Sequence, residues 1–200
     1  PMEDLDISKE LARNFKKSGI KLYTETKVKK IEGNKTKVQV HMEQNGKIET
    51  LDGDIALVAV GIAGNIENIG LEKVGVTTDN GFININEYNQ SSIPSIYAIG
   101  DVTGPPWLAH VASAQGHVAV EHAAGNEIEP INYSNIPNCT YCKPEVASIG
   151  LTEESLLEQS INFKKAHSFF NSNGKAVAVG STDGFIKILV DDSNHILGAH

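Results

Sequence analysis

The residues best placed to do chemistry lie between Ile96 and His110. An apolar run, Ile96-Tyr97-Ala98-Ile99, ends in Gly100-Asp101. Gly104-Pro105-Pro106 follows, and Trp107-Leu108-Ala109-His110 opens a stretch of small residues that closes at Gly125. Read as a buried strand, residues 96–101 deliver a carboxylate at the end of an open α/β sheet where ligands bind. An aspartate there accepts hydrogen bonds from ligand hydroxyls, and Gly100 lets a ligand approach the backbone closely. The spacing predicts a helix over 108–124. Its free N–H groups and positive dipole end suit a group that becomes negative during a reaction. A plainer role for Asp101, capping a turn, fits a bare Gly-Asp pair equally well.

The remaining reactive side chains are sparse. The two cysteines, Cys139 and Cys142, have Cys-x-x-Cys spacing at the start of a strand-like segment, where residues three apart face opposite sides. A pair of thiols supplies only two of the four ligands of a zinc site. The expectation is small, half-buried apolar side chains, with no metal site and no redox role. No Gly-x-Gly-x-x-Gly occurs, so no pyrophosphate-binding loop of that kind is present. Among seven histidines, His110 adjoins the Asp101 segment and is expected to position rather than to transfer protons.

The elements that must hold these residues follow from periodicity. Ile7–Lys17 reads as an amphipathic helix with Ser8 as its N-cap, Leu11, Ala12 and Phe15 on its apolar face, and Gly19 as its stop. Residues 20–23 read as a short extended segment. Residues 27–32, 37–42 and 47–51 alternate as strands, the last two joined by an Asn45-Gly46 hairpin turn. Residues 54–61 are apolar on both faces, as a strand buried in a parallel sheet would be. A short strand follows the Asn80-Gly81 turn at 82–85. Ala147–Leu151 reads as a strand, and Thr152 caps a helix with acidic residues in its first turn. Residues 163–170, 176–179 and 185–190 read as antiparallel strands. The organisation is two α/β pieces followed by an α+β piece, with changes of texture near 60 and 131.

Composition narrows the function classes. A net charge of −8 argues against general nucleic-acid binding. No apolar run approaches the roughly 20 residues of a membrane span, and no signal peptide opens the chain. Two cysteines in 200 residues point to a reducing compartment. Of 17 basic residues only Arg13 is arginine, so bidentate clamps on phosphate are nearly absent. The chain opens on Pro1 with Met2 behind it, and reads as the interior of something longer.

The run Ser91-Ser92-Ile93-Pro94-Ser95-Ile96-Tyr97-Ala98-Ile99-Gly100-Asp101-Val102 resembles the second FAD motif of the pyridine nucleotide–disulfide oxidoreductases. Trp107–His110 with Ala112-Ser113, Tyr141 with Pro144–Glu153, Thr182–Leu189 and Ile196–His200 extend the resemblance, in order, through the chain. Together they are most similar to the lipoamide-oxidising branch of that family, which serves the 2-oxoacid dehydrogenase complexes. The resemblance implies part of a flavoprotein with two dinucleotide-binding domains. Residues 1–60 would close the NAD domain with its three-stranded β-ribbon, 61–131 would form the second FAD segment, and 132–200 would begin the α+β interface (dimerisation) domain.

The roles it implies are specific. Gly100 and Asp101 would bind FAD, Asp101 at the ribityl hydroxyls. The backbone around Trp107, Leu108, Ala109 and His110 would lie against the isoalloxazine. Val28 and Gly61 would line the NAD site. The implied partners are a lipoyl domain and a second copy of the enzyme, in bacterial cytoplasm or mitochondrial matrix. The family's Cys-x4-Cys, both glycine-rich loops and its C-terminal His-Pro-Thr base have no counterpart in these residues, so activity from them alone is not expected. His200 matches an earlier Leu-Gly-x-His strand and not that base. Gly61-Ile62-Ala63-Gly64-Asn65 lacks the arginines and proline common in the family, Lys143 replaces a histidine and Ser91 a threonine. Another disulfide reductase, of glutathione or mercuric type, and a non-catalytic binding or assembly module are the alternatives.

Overall fold

The computed structural model describes residues 3–200, which divide into two compact units. One is Leu11–Gly61; the other joins residues up to Glu10 with Ile62–His200. The first helix, α1, spans Leu5–Lys17. It begins earlier than expected because Asp4, not Ser8, organises its start: the Asp6 N–H donates to Asp4 Oδ1 at 3.0 Å and the Ser8 N–H to the Asp4 carbonyl at 3.0 Å. It stops as predicted. Gly19 has φ +83°, its N–H donates to the Lys16 carbonyl, and the Ile20 N–H reaches back to Phe15 at 2.9 Å. Leu11, Ala12 and Phe15 are half-buried. Residues 20–23 are not a strand.

A three-stranded antiparallel ribbon follows: β1 (Thr26–Gly33), β2 (Val38–Gln44) and β3 (Lys47–Gly53), in that order. Asn45 and Gly46 have φ of 51° and 76°, the doubly left-handed turn that matches strand twist. Val40 pairs with Ile31 and Leu51, and Met42 with Val28, so one face is apolar. The other is a polar ladder in which Lys29 meets Glu43 at 2.5 Å, His41 Nε2 lies 3.0 Å from Glu32, and Gln39 donates to Asp52 at 2.8 Å. Residues 54–61, expected as a buried strand, form no strand, with Ile55, Leu57 and Val60 about nine-tenths exposed (88, 90 and 93%). A strand apolar on both faces needs paired neighbours and covering layers, and no described residue forms a ladder with it.

In the second unit, helix α2 (Leu71–Val74) and the hairpin of β4 (Thr78–Asp79) and β5 (Phe82–Ile83), turned by Asn80-Gly81, close over Val76, Ile83 and Ala98. Leu71, Ile93, Ile96 and Val102 pack against that core. Residues 96–101 do not form the expected strand. Only isolated bridges, Ile85 to Ser91 and Gln90 to Tyr97, mark the region, and Gly100–Thr103 winds into a 3₁₀ turn. Helix α3 (Ala109–Ala123) follows as predicted.

The C-terminal part is a five-stranded antiparallel sheet, built from β6 (Asn138–Thr140), β7 (Val146–Gly150), β8 (Lys164–Phe169), β9 (Phe185–Val190) and β10 (Ile196–Ala199) in the order β6-β7-β10-β9-β8. Helix α4 (Glu153–Glu158) has the predicted cap, with Thr152 Oγ1 accepting the Ser155 N–H at 3.1 Å. Residues 176–179, expected as a strand, fall at helix α5 (Gly174–Ala178) instead, because the Asn173 side chain accepts the Ala176 N–H at 3.0 Å and caps a turn of helix. β7 and β10 approach so closely that a Cβ on Gly198 would overlap the Leu151 carbonyl. Among the described residues no helix is long and apolar enough to cross a membrane.

One buried cation organises this part. Lys187 on β9 is fully buried, and its ammonium meets Asp4 at 2.9 Å, Asp6 at 2.8 Å and Glu153 at 2.5 Å. Asp4, also fully buried, accepts the Glu153 N–H at 3.1 Å, and Glu153 pairs further with Lys165 at 2.6 Å. Burial disfavours the ammonium, but hydrogen bonds to Asp6, Glu153 and Asp4 outweigh it and raise Lys187 above the ordinary lysine value. Burial likewise opposes the charge on Asp4, yet Lys187 and two backbone N–H groups hold its carboxyl below the usual range.

The lowered carboxylates contribute stability above their unfolded pKa that is lost as pH falls through their folded values; Lys187 contributes stability below its unfolded pKa that is lost only in strong base. Stability from the cluster is therefore level from about pH 5 to pH 10 and falls in acid. Replacing Lys187 with Met strands three carboxylates and should cost about 3–5 kcal/mol at pH 7, a loss that shrinks on acidification as they protonate. Urea unfolding at pH 7 and pH 4 measures both effects.

Candidate functional site

The Asp101 segment is positioned by a turn and a helix rather than by a strand. Gly100 takes φ +73° at the start of the 3₁₀ turn, a conformation that costs a side chain about 1–2 kcal/mol. Its missing Cβ would sit 3.4 Å from that of Ala112, so the turn lies directly on α3. Thr103 Oγ1 donates to the Gly100 carbonyl at 2.8 Å, and the Gly104 N–H to that of Asp101 at 3.3 Å, closing the turn. The Asp101 side chain is left exposed at its surface.

The turn is also held from beneath. Gln115 is 4% exposed, and its Oε1 accepts the Gly100 N–H at 2.6 Å. Its Nε2 donates to the Tyr133 hydroxyl at 2.9 Å and lies 3.4 Å from Thr103 Oγ1. No motif in the sequence marks this residue, yet its spacing carries a signal: Val111, Gln115, Val118 and Ala119 form one buried stripe of α3, and Gln115 is the polar member.

The other expected residues divide into two groups. Trp107, Leu108, Ala109 and His110 lead from the turn into α3. Leu108 is extended, with no side-chain cap for the first N–H groups of the helix. The Trp107 ring is 40% exposed and leans on Phe82, with ring centres 6.0 Å apart. His110 is exposed and its Nε2 lies 3.0 Å from the Pro137 carbonyl, a contact that fixes the ring. Val28 and Gly61 belong to the other unit. Val28 is exposed on β1 beside a bulge, and Gly61 has φ +135° with open space where a Cβ would lie.

The cysteines are free: Cys139 is exposed on β6, not half-buried as expected, and Cys142 Sγ lies 3.0 Å from the Pro144 carbonyl. A three-residue edge strand leaves the Cys139 side chain without a covering layer. His200 is buried, its Nε2–H donating to the Leu151 carbonyl at 3.0 Å, and its main chain pairs with Lys187.

Family comparison decides what this architecture is part of. The pyridine nucleotide-disulphide oxidoreductase pattern matches residues 1–116, and the dimerisation domain of the same family matches 136–200. The chain belongs to that family. It is 43% identical to a dihydrolipoyl dehydrogenase of Zymomonas mobilis, matched over all of this chain and 44% of the relative. It is equally identical to one from Bacillus subtilis, covering 43% of it. Among solved structures it superposes on LpdA from Mycobacterium tuberculosis with a TM-score of 0.87 at 27% identity, covering all of this chain and 43% of that one. The flavoprotein disulfide reductase RclA from Escherichia coli shares the fold, with a TM-score of 0.89 at 23% identity, over all of this chain and 46% of that one. The chain thus spans less than half the length of the relatives it matches.

The fit to a flavin is chemical. The site offers an exposed carboxylate, a residue without a side chain beside it, and a helix start with no side-chain cap. Gly100→Ala should destabilise the protein by about 1–2 kcal/mol through its left-handed backbone, and thermal unfolding would register this as a lowered midpoint.

Proposed function

We propose that this chain is the portion of a dihydrolipoyl dehydrogenase that completes the NAD domain (1–60), supplies the second FAD segment (61–131) and begins the dimerisation domain (132–200). The observation that carries the reading is the Gly100-Asp101 turn, set on α3 with its carboxylate exposed, in a chain 43% identical along its whole length to dihydrolipoyl dehydrogenases. Asp101 would hold FAD by accepting hydrogen bonds from the ribityl hydroxyls, and Gly100 would let the cofactor approach. The backbone at Trp107, Leu108, Ala109 and His110 would lie against the flavin ring, with Val28 and Gly61 on the NAD side. FAD, when bound, supplies a two-electron acceptor between a dithiol and the nicotinamide.

The whole reaction converts dihydrolipoamide and NAD⁺ to lipoamide, NADH and a proton. The substrate would be presented on a lipoyl domain of a 2-oxoacid dehydrogenase complex, and the enzyme would act as a homodimer, in bacterial cytoplasm or mitochondrial matrix. His110, held at the Pro137 carbonyl, would position the segment rather than carry protons.

The test is spectroscopic. The full-length protein carrying these residues should retain a visible flavin band after desalting and form NADH from dihydrolipoamide. Asp101→Ala should weaken FAD binding at least about tenfold, as expected for losing a charged hydrogen-bond acceptor. A wild-type protein with no flavin, or one that reduces glutathione disulfide and ignores dihydrolipoamide, would overturn the reading.

A further inference from the structure

Burying an amide side chain is costly unless its donors and acceptor are met. Gln115 meets the cost by joining two separate pieces of chain: the Gly100–Thr103 turn, through the Gly100 N–H and the Thr103 hydroxyl, and Tyr133, through its hydroxyl. The 2.6 Å contact to Gly100 bears on the flavin segment directly, because that N–H opens the 3₁₀ turn carrying Asp101. Gly100 has no side chain to fix its conformation and no ladder hydrogen bond from a neighbouring strand. Its left-handed φ is therefore set by contacts around it, and that to the Gln115 oxygen is the shorter of two hydrogen bonds at Gly100, 2.6 Å against 2.8 Å from Thr103.

We propose that Gln115 is a positioning residue for FAD. It does not touch the cofactor; it holds the Gly100 N–H so that the turn presents the Asp101 carboxylate at one height and angle. The inference rests on the flavin reading above. Tyr133 completes the device by accepting from Nε2, which sets which way the Gln115 amide faces and so keeps its oxygen toward Gly100.

Two substitutions separate positioning from plain packing. Gln115→Leu keeps the volume and removes the acceptor, whereas Gln115→Glu keeps an acceptor and lets the Tyr133 hydroxyl donate in return. In the full-length flavoprotein, Gln115→Leu should raise the FAD dissociation constant about tenfold, the size of one buried hydrogen bond. Gln115→Glu should stay within about threefold of wild type. Val118→Ala, on the same buried stripe, serves as a stability control that lowers the melting temperature and leaves the dissociation constant alone. If Gln115→Leu does not fold, Tyr133→Phe tests the same device and should weaken FAD binding about threefold.

Flavin fluorescence titration of apoprotein supplies the constants. Unchanged affinity in Gln115→Leu, or in Tyr133→Phe where that variant stands in, overturns the inference. So does a loss in Gln115→Leu no greater than that of Val118→Ala. A wild-type protein that binds no FAD overturns the flavin reading and this inference with it.

Discussion

The ammonium of Lys187 and the carboxylates around it form the constraint on which the C-terminal architecture turns. A lysine with no exposed surface is tolerable only when its charge is fully answered. Three carboxylates answer it, from Asp4 and Asp6 at the start of α1 and from Glu153 at the start of α4. Both helix starts are thereby fixed to the middle of β9. The geometry is economical because the same Asp4 carboxylate satisfies N–H groups of Asp6 and Glu153. One buried ion cluster thus caps the start of α1 and joins it to the start of α4, which Thr152 caps as well.

The Asp101 turn is held by the same logic at smaller scale. There a neutral amide, Gln115, is buried and answered by three polar groups. In both places a buried polar residue ties separate elements together, and what it adds is direction. Dispersion holds elements together but tolerates small rotations; hydrogen bonds at 2.6 and 2.9 Å do not. A turn proposed to hold a cofactor profits from that intolerance.

Turn and stop signals carried by one or two residues are legible in the sequence, and features that depend on distant partners are not. Asn45-Gly46, Asn80-Gly81 and the stop at Gly19 declare left-handed backbone by composition alone, and all three take it. Thr152 caps α4 as its position before acidic residues suggests. By contrast, residues 54–60 and 96–101 look like strands because they are apolar on both faces, but strandhood depends on neighbours that no described residue supplies. Residues 176–179 were too short for periodicity to separate strand from helix, and one side chain, Asn173, decided it. Ser8 lost the N-cap to Asp4 because Asp4 had a buried cation to meet, a tertiary fact invisible in the local pattern. Asp101, Trp107 and His110 stand out as candidates only through their resemblance to a family motif; Lys187 and Gln115 do not stand out at all, since a lone Lys or Gln in an apolar stripe reads as an interruption.

These differences bear on how the site works. Were the Asp101 carboxylate placed by a strand, its position would depend on every partner in a parallel sheet. Here Gly100 rests on Ala112, its N–H on Gln115 and its carbonyl on Thr103, all within residues 100–115. The turn and the first half of α3 therefore form one locally determined unit, and the carboxylate and the helix start keep their relation through short-range contacts. Small changes in that unit, a methyl group at Gly100 or a lost oxygen at Gln115, should reach the proposed flavin-binding turn without passing through the sheet, whereas changes in the Lys187 cluster should register in stability before they register in cofactor affinity.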